Sequence, residues 1–156
     1  VQRLRQLDNR HNFTLLCRDL SELSTFAKVA NTEYRLLKAH TPGAFTFILE
    51  ANNIIPKLFK SKRKTIGIRI PDNNIPREIV KELGNPIVAT SVHDDDEIIE
   101  YTTDPELIKE KYDHLVDLII DGGYSGHQAT TVIDLTDDQP VVLREGKGEI
   151  EMIDQP

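Results

Sequence analysis

The order in which strand-like and helix-like runs follow one another constrains this chain more than any other feature. FTLLC at 13–17, AFTFILE at 44–50, TIGIRI at 65–70 and PIVATS at 86–91 are rich in branched and aromatic residues and read as strands. Helix patterns separate them. Asp19 with Glu22 has capping-box spacing and predicts a helix from about 20 to 28. A second helix starts at Asn31, runs to about Ala39 and is stopped by Thr41-Pro42-Gly43. The Asn52-Asn53 turn leads into a short piece around IIPKLF, and PDNN leads into a helix with Pro76 near its start and Gly84 just past its end. Asp104-Pro105-Glu106 opens a helix through KEKYDH, followed by VDLIID at 116–121 as a strand. TTVIDL at 130–135 and VVLRE at 141–145 are strands joined by the hairpin-like turn TDDQP. At the ends, VQRLRQL reads as the last turns of a helix and EIEMID as an edge strand. Helices alternate with strands early and strands pair late, so the expected class is α/β with a mixed sheet rather than a doubly wound parallel one.

With 156 residues, 38% hydrophobic and 29% charged, the chain suits one globular domain. No apolar run approaches the roughly 18 residues of a membrane span. The lone cysteine, Cys17, excludes an internal disulfide framework and fits a reducing cytoplasm; within FTLLC it reads as a buried thiol rather than a nucleophile. The net charge of -7 is unevenly spread: residues 1–81 carry 15 Lys and Arg against 7 Asp and Glu, and residues 82–156 carry 4 against 19. A basic half can offer phosphate a positive patch even in an acidic protein.

Arg69 poses the sharpest question. In a strand over 65–70, Ile66, Ile68 and Ile70 share one face while Thr65, Gly67 and Arg69 share the other. A hydroxyl, a gap and a guanidinium in line suit the wall of an anion pocket; they equally suit a solvent-facing strand carrying one solvated charge. Familiar motifs are missing. There is no G-x-x-x-x-G-K-[ST] loop and no G-x-G-x-x-G after a strand, and GGYSG at 122–126 has glycines at the wrong spacing. GYSGH fails G-x-S-x-G by one residue. HDDDE at 93–97 reads as a solvated loop before a metal site, and His11, His40, His93, His114 and His127 lack zinc-ligand spacing. What remains is a scattered set of cations and hydroxyls at strand ends: Arg5, Thr65, Arg69, Thr90, Ser91, Thr130, Thr131 and Arg144. Such groups bind phosphate if the fold gathers them on one concave surface.

Several blocks resemble, in order and with fitting spacings, the YciO branch of the YrdC/YciO family: RLRQLDNRHNFTLLCRDLSELSTF, TPGAFTFIL, KRKTIGIRIPDN, VDLIIDGGY and TTVIDLTDDQPVVLREGKG. Together they cover nearly the whole chain. The resemblance implies a single YrdC-like domain over residues 1–156, expected to lack the family's N-terminal segment with its P-T-D block. It implies a twisted mixed sheet flanked by helices, with a concave, positively charged surface. Better-known members make threonylcarbamoyl-adenylate from threonine, bicarbonate and ATP for tRNA modification. Carried over by position, Arg5, Thr65, Ser91 and Arg144 fall on nucleotide contacts. Arg69 falls on a contact to the amino-acid carboxylate, and Ala89 and Thr130 fall where the amino acid lies. The cleft is also proposed to accept double-stranded RNA; within the basic segment before the 65–70 strand, Lys60, Lys62, Arg63 and Lys64 read either as part of a basic rim for RNA or as a solvated loop.

Two departures bear on activity. The synthases carry K-x-R on the first helix and S-x-N after the TS strand, where this chain has Arg5-Gln6-Leu7 and Ser91-Val92-His93. Each missing charge-assisted contact costs about 1.5 to 3 kcal/mol, and two such losses slow transfer by roughly 10²- to 10⁴-fold. The expectation is a cytoplasmic protein that binds double-stranded RNA or tRNA and adenine nucleotide without efficient threonylcarbamoyl-adenylate synthesis. The alternative is an ATP-dependent synthase-like nucleotidyltransferase. ATP with Mg²⁺ enters either as a possible substrate, no tightly bound cofactor or bound metal is expected, and no residue is assigned a catalytic role.

Overall fold

The computed structural model describes residues 13–59, 64–92 and 103–149. The chain divides into two compact units: Asn12–Ala89 with Thr130–Pro156, and Val1–His11 with Thr90–Ala129.

The first unit is built on six strands, β1 (Thr14–Leu16), β2 (Phe45–Glu50), β3 (Thr65–Arg69), β4 (Ile87–Ala89), β5 (Thr131–Asp134) and β6 (Val141–Arg144). They lie in the order β4-β1-β3-β2-β5-β6. The β1/β3 and β2/β5 pairs are parallel and the other three are antiparallel, so the sheet is mixed, as its sequence pattern predicts. Chain order explains this. Both parallel pairs join strands far apart in sequence, because a parallel return needs a long crossover, whereas β5 and β6 are separated only by a tight turn and pair antiparallel.

The helices of this unit are α1 (Leu23–Phe26), α2 (Asn31–His40), α3 (Ile54–Phe59) and α4 (Asn74–Leu83). Strand alternation builds the core. Phe45, Phe47 and Leu49 of β2, Ile66 and Ile68 of β3, Leu15 of β1 and Ile133 of β5 cluster with Leu23, Leu37 and Ile55 from the first three helices. Each such side chain contributes about 1.5 to 3 kcal/mol by leaving water. α4 starts behind Asn73, whose side chain accepts from Ile75 N at 2.9 Å, and ends at Gly84 with φ 73°. Pro76 fits because N–H groups in the first helical turn have no intrahelical acceptor to lose, and only glycine takes that positive φ freely.

One expected helix contracts. The stretch 20–28 forms a single turn, α1, because Ala27 turns extended and bridges Ala51 while Lys28 N donates to Glu50 O at 2.8 Å. The pull of the sheet edge ends the helix. Asp19 does not cap it either: its carboxylate folds onto Ser21, taking the Ser21 N–H at 2.8 Å and the Ser21 hydroxyl. α2 begins where expected, with the Glu33 carboxylate reaching back to the Ala30 N–H at 2.7 Å.

In the second unit, α5 (Pro105–Tyr112) starts at Asp104, whose side chain accepts from Glu106 N at 2.9 Å, and has Pro105 at its first position. The strand expected over VDLIID does not form. Residues 116–121 pair with no strand among the described residues, and Leu118 and Ile120 are exposed. Extended, branched sequence becomes strand only where a neighbouring strand accepts from its N–H groups and donates to its C=O groups. VQRLRQL, HDDDE and residues 150–154 of EIEMID lie outside the described residues.

Candidate functional site

The two faces of the sheet differ. On β2, Phe45, Phe47 and Leu49 are buried, while Thr46 and Ile48 between them are only half-buried. β3 repeats the alternation, with Ile66 and Ile68 buried, Gly67 and Arg69 half-buried and Thr65 exposed. In β5, Thr131 and Ile133 face the core and Val132 and Asp134 the other side. The ladder registers put these half-buried residues on one face: Gly67 is opposite Ile48, Thr46 opposite Val132 and Val132 opposite Arg144. One further step along the β2/β3 register sets Thr46 beside Arg69. Thr14 pairs with both Gly67 and Ala89, which brings β1 and β4 onto the same face.

On this face the chain assembles a cationic corner. Arg69 is half-buried at the end of β3, and its Nε is fully buried with no hydrogen-bond partner among the described residues. Burial lowers its pKa, and the nearby Arg144 guanidinium lowers it further. Arg144, at the end of β6, donates to the Thr130 carbonyl oxygen from Nη2 at 2.9 Å and from Nε at 3.2 Å, with a longer approach of Nη2 to Thr130 Oγ1 at 3.4 Å. The Thr130 and Thr46 hydroxyls are 2.7 Å apart. Among the described residues no carboxylate pairs with either arginine. An unpartnered buried N–H on a cation beside a second cation is costly. An incoming anion relieves both terms at once.

The neighbouring threonine supports this corner from behind. Thr131 is fully buried on the core face; its hydroxyl donates to Gly148 O at 2.6 Å and accepts from Gly146 N at 3.0 Å. These bonds fold the segment after Arg144 back against the sheet, where Gly148 lies on the Phe45 ring. Two adjacent threonines thus point to opposite faces, Thr130 to the cationic corner and Thr131 to the segment that follows Arg144.

Of the residues singled out by sequence, Arg69, Thr130 and Arg144 are brought together. Thr65 lies on the same face at the far end of β3, roughly 13 Å away at about 3.3 Å per residue. Ala89 shares the face from β4, level with Gly67 through Thr14. Lys64 is exposed just before β3. Ser91 is exposed and belongs to the second unit. Arg5, Lys60, Lys62 and Arg63 lie outside the described residues. Thr46 was missed by the sequence reading, although its place between Phe45 and Phe47 in FTFILE put it on the non-core face. In the second unit, a hollow of about 480 Å³ along α5 is lined by Glu106, Lys109, Glu110, Asp113 and His114 and holds none of the expected site residues. No group of three His, Cys, Asp or Glu among the described residues is placed to hold a metal, and no helix among them is long and apolar enough to cross a membrane.

Fold and corner together define an α/β protein with two neighbouring arginines on one face of a mixed sheet. Residues 1–146 match the Sua5/YciO/YrdC family model, described as "Telomere recombination", and the chain belongs to that family. YciO of Escherichia coli is 52% identical over 152 residues, a match that covers 96% of this chain and 73% of that protein. The crystal structure of E. coli YciO aligns with a TM-score of 0.88 at 49% identity, covering 98% of this chain and 74% of the other. The threonylcarbamoyl-AMP synthase of Pyrococcus abyssi is 29% identical over 136 residues, covering 86% of this chain and 39% of that protein. The structure of P. abyssi Sua5 complexed with L-threonine aligns with a TM-score of 0.80 at 26% identity, covering 93% of this chain and 43% of the other.

Proposed function

We propose that the open sheet face binds a small carboxylate, of the amino-acid class, at Arg69 and an adenine nucleotide alongside it, and that the basic segment before β3 docks double-stranded RNA or tRNA. Threonylcarbamoyl-adenylate formation is slow in this reading. The observation that carries it is the buried, unpartnered Arg69 Nε beside Arg144. A guanidinium fork matches a carboxylate's two oxygens, and the Sua5 relative's complex with L-threonine supports an amino acid as the ligand class. Thr130 and Ala89 complete the amino-acid side. Thr65 and Arg144 supply the nucleotide side, and Lys60, Lys62, Arg63 and Lys64 supply the rim for RNA. Titrating L-threonine and ATP into the protein by calorimetry tests the small-molecule part: both bind, and Arg69→Ala removes the threonine heat. Duplex RNA binding tests the rim. Its log affinity falls with log salt at a slope reporting several phosphate contacts, and an affinity indifferent to salt removes that part.

A second reading is favoured by the P. abyssi synthase relative. Here the same face joins threonine, bicarbonate and ATP, releasing pyrophosphate, by positioning and electrostatic stabilisation through Arg69 and Arg144 with Mg²⁺ carried on the nucleotide. Arg5-Gln6-Leu7 and Ser91-Val92-His93 stand where the synthases have K-x-R and S-x-N, which weighs against a fast reaction. Pyrophosphate release at a rate comparable to the synthases would establish this second reading over the first.

A further inference from the structure

We infer that Thr46 is a positioning residue of the carboxylate site: it holds the Thr130 hydroxyl so that the pair offers one hydrogen-bond donor to a ligand anchored on Arg69. The inference rests on reading Arg69 as that anchor. Three features point to it. Thr46 and Thr130 come from residues 84 apart in sequence, yet their hydroxyl oxygens meet at 2.7 Å on the open face. Arg144 fixes the Thr130 backbone through its carbonyl, while the Thr130 hydroxyl has its short contact with Thr46 at 2.7 Å and only a longer one, 3.4 Å, with Arg144. The β2/β3 register ends with Phe47 opposite Ile68, and Thr46 and Arg69 are the next residues beyond that pair, both on the face away from the core.

Counting protons gives the rest. Two hydroxyls bring two O–H groups, and the bond between them consumes one. Arg144 Nη2 approaches Thr130 Oγ1 as a donor and consumes none. Whichever threonine donates to the other, one hydroxyl hydrogen is left for an acceptor. The adjoining corner holds two guanidinium groups, so the acceptor that suits it is an anion: the carboxylate oxygen that Arg69 holds less closely. A valine at position 46 keeps the branched shape that suits a strand but removes the partner that orients Thr130. A serine there keeps the hydroxyl.

Calorimetric titration with L-threonine of the wild type, Thr46→Val, Thr46→Ser and Arg69→Ala, each with a thermal melt, tests this. The expected result is about a tenfold weaker affinity in Thr46→Val, the scale of one hydrogen bond. Thr46→Ser returns to within about twofold of wild type, and all variants melt cooperatively. A purely structural hydroxyl pair would shift the melt and leave the affinity of the folded protein alone. Unchanged affinity in Thr46→Val, with binding lost in Arg69→Ala, overturns this inference and leaves the reading of Arg69 standing. Unchanged affinity in Arg69→Ala overturns both.

Discussion

Arg144 grips the carbonyl oxygen of Thr130 with two N–H groups, from Nη2 at 2.9 Å and Nε at 3.2 Å. This joins the end of β6 to the residue before β5, so the hairpin closes on itself with a cation at its mouth. That cation lies close enough to Arg69 to disfavour its charge. The same arrangement sets like charges together and leaves a buried Arg69 N–H without a partner among the described residues, a pattern that makes sense where an anion completes it.

Arg144→Lys keeps the charge and loses the fork. A lysine offers a point donor on a flexible stem, so the hairpin loses about 1 kcal/mol, the net worth of one hydrogen bond. The nucleotide affinity assigned to Arg144 falls as well. Urea denaturation and ATP titration of the same variant check the two parts separately.

Gly148→Ala strikes the loop behind the corner. A Cβ at Gly148 would stand 2.5 to 2.8 Å from three atoms of the Phe45 ring, so the segment must lift. Lifting it breaks the 2.6 Å bond from the Thr131 hydroxyl to the Gly148 carbonyl. Overpacking of this kind costs about 1 to 3 kcal/mol. The urea midpoint should fall with an unchanged slope, and a midpoint equal to wild type contradicts the packing described.

Cys17 tests the interior. Its thiol is buried, and desolvation, followed by Glu22 and then Asp19, pushes its pKa up to about 12. Because the folded value is raised above an unfolded value of about 8.5, the associated stability is full below that pH. It is lost as pH rises from there toward about 12. A thiol-disulfide reagent at pH 8 should leave the folded protein unlabelled and react at once in strong urea. Rapid labelling under native conditions contradicts the burial.

How much was legible in the sequence divides along physical lines. The strands at 44–50, 65–70 and 130–135 and the mixed sheet follow from alternation, since Phe45, Phe47, Ile66, Ile68 and Ile133 all face the core as the period of two demands. Local signals placed α2, α4 and α5, because Asn73, Gly84, Asp104 and Pro105 act within their own turns. The failures are non-local. Nothing near Lys28 announces that Glu50 will accept its N–H and end α1 early. Nothing within VDLIID reveals that it meets no strand. The site was half legible: alternation put both Arg69 and Thr46 on the face away from the core, but only the closure between residues 84 apart shows that Thr46 meets Thr130.

Arg69→Met separates a ligand site from a packing feature most directly. Methionine fills much of the same space without the buried, unpartnered Nε or the repulsion from Arg144. Replacing such a group by an apolar one is commonly neutral or stabilising. Thermal melts and calorimetry with L-threonine on the same sample decide the matter. The account predicts a melting temperature equal to or above wild type together with loss of threonine binding. A variant that melts lower while binding L-threonine as the wild type does would contradict it.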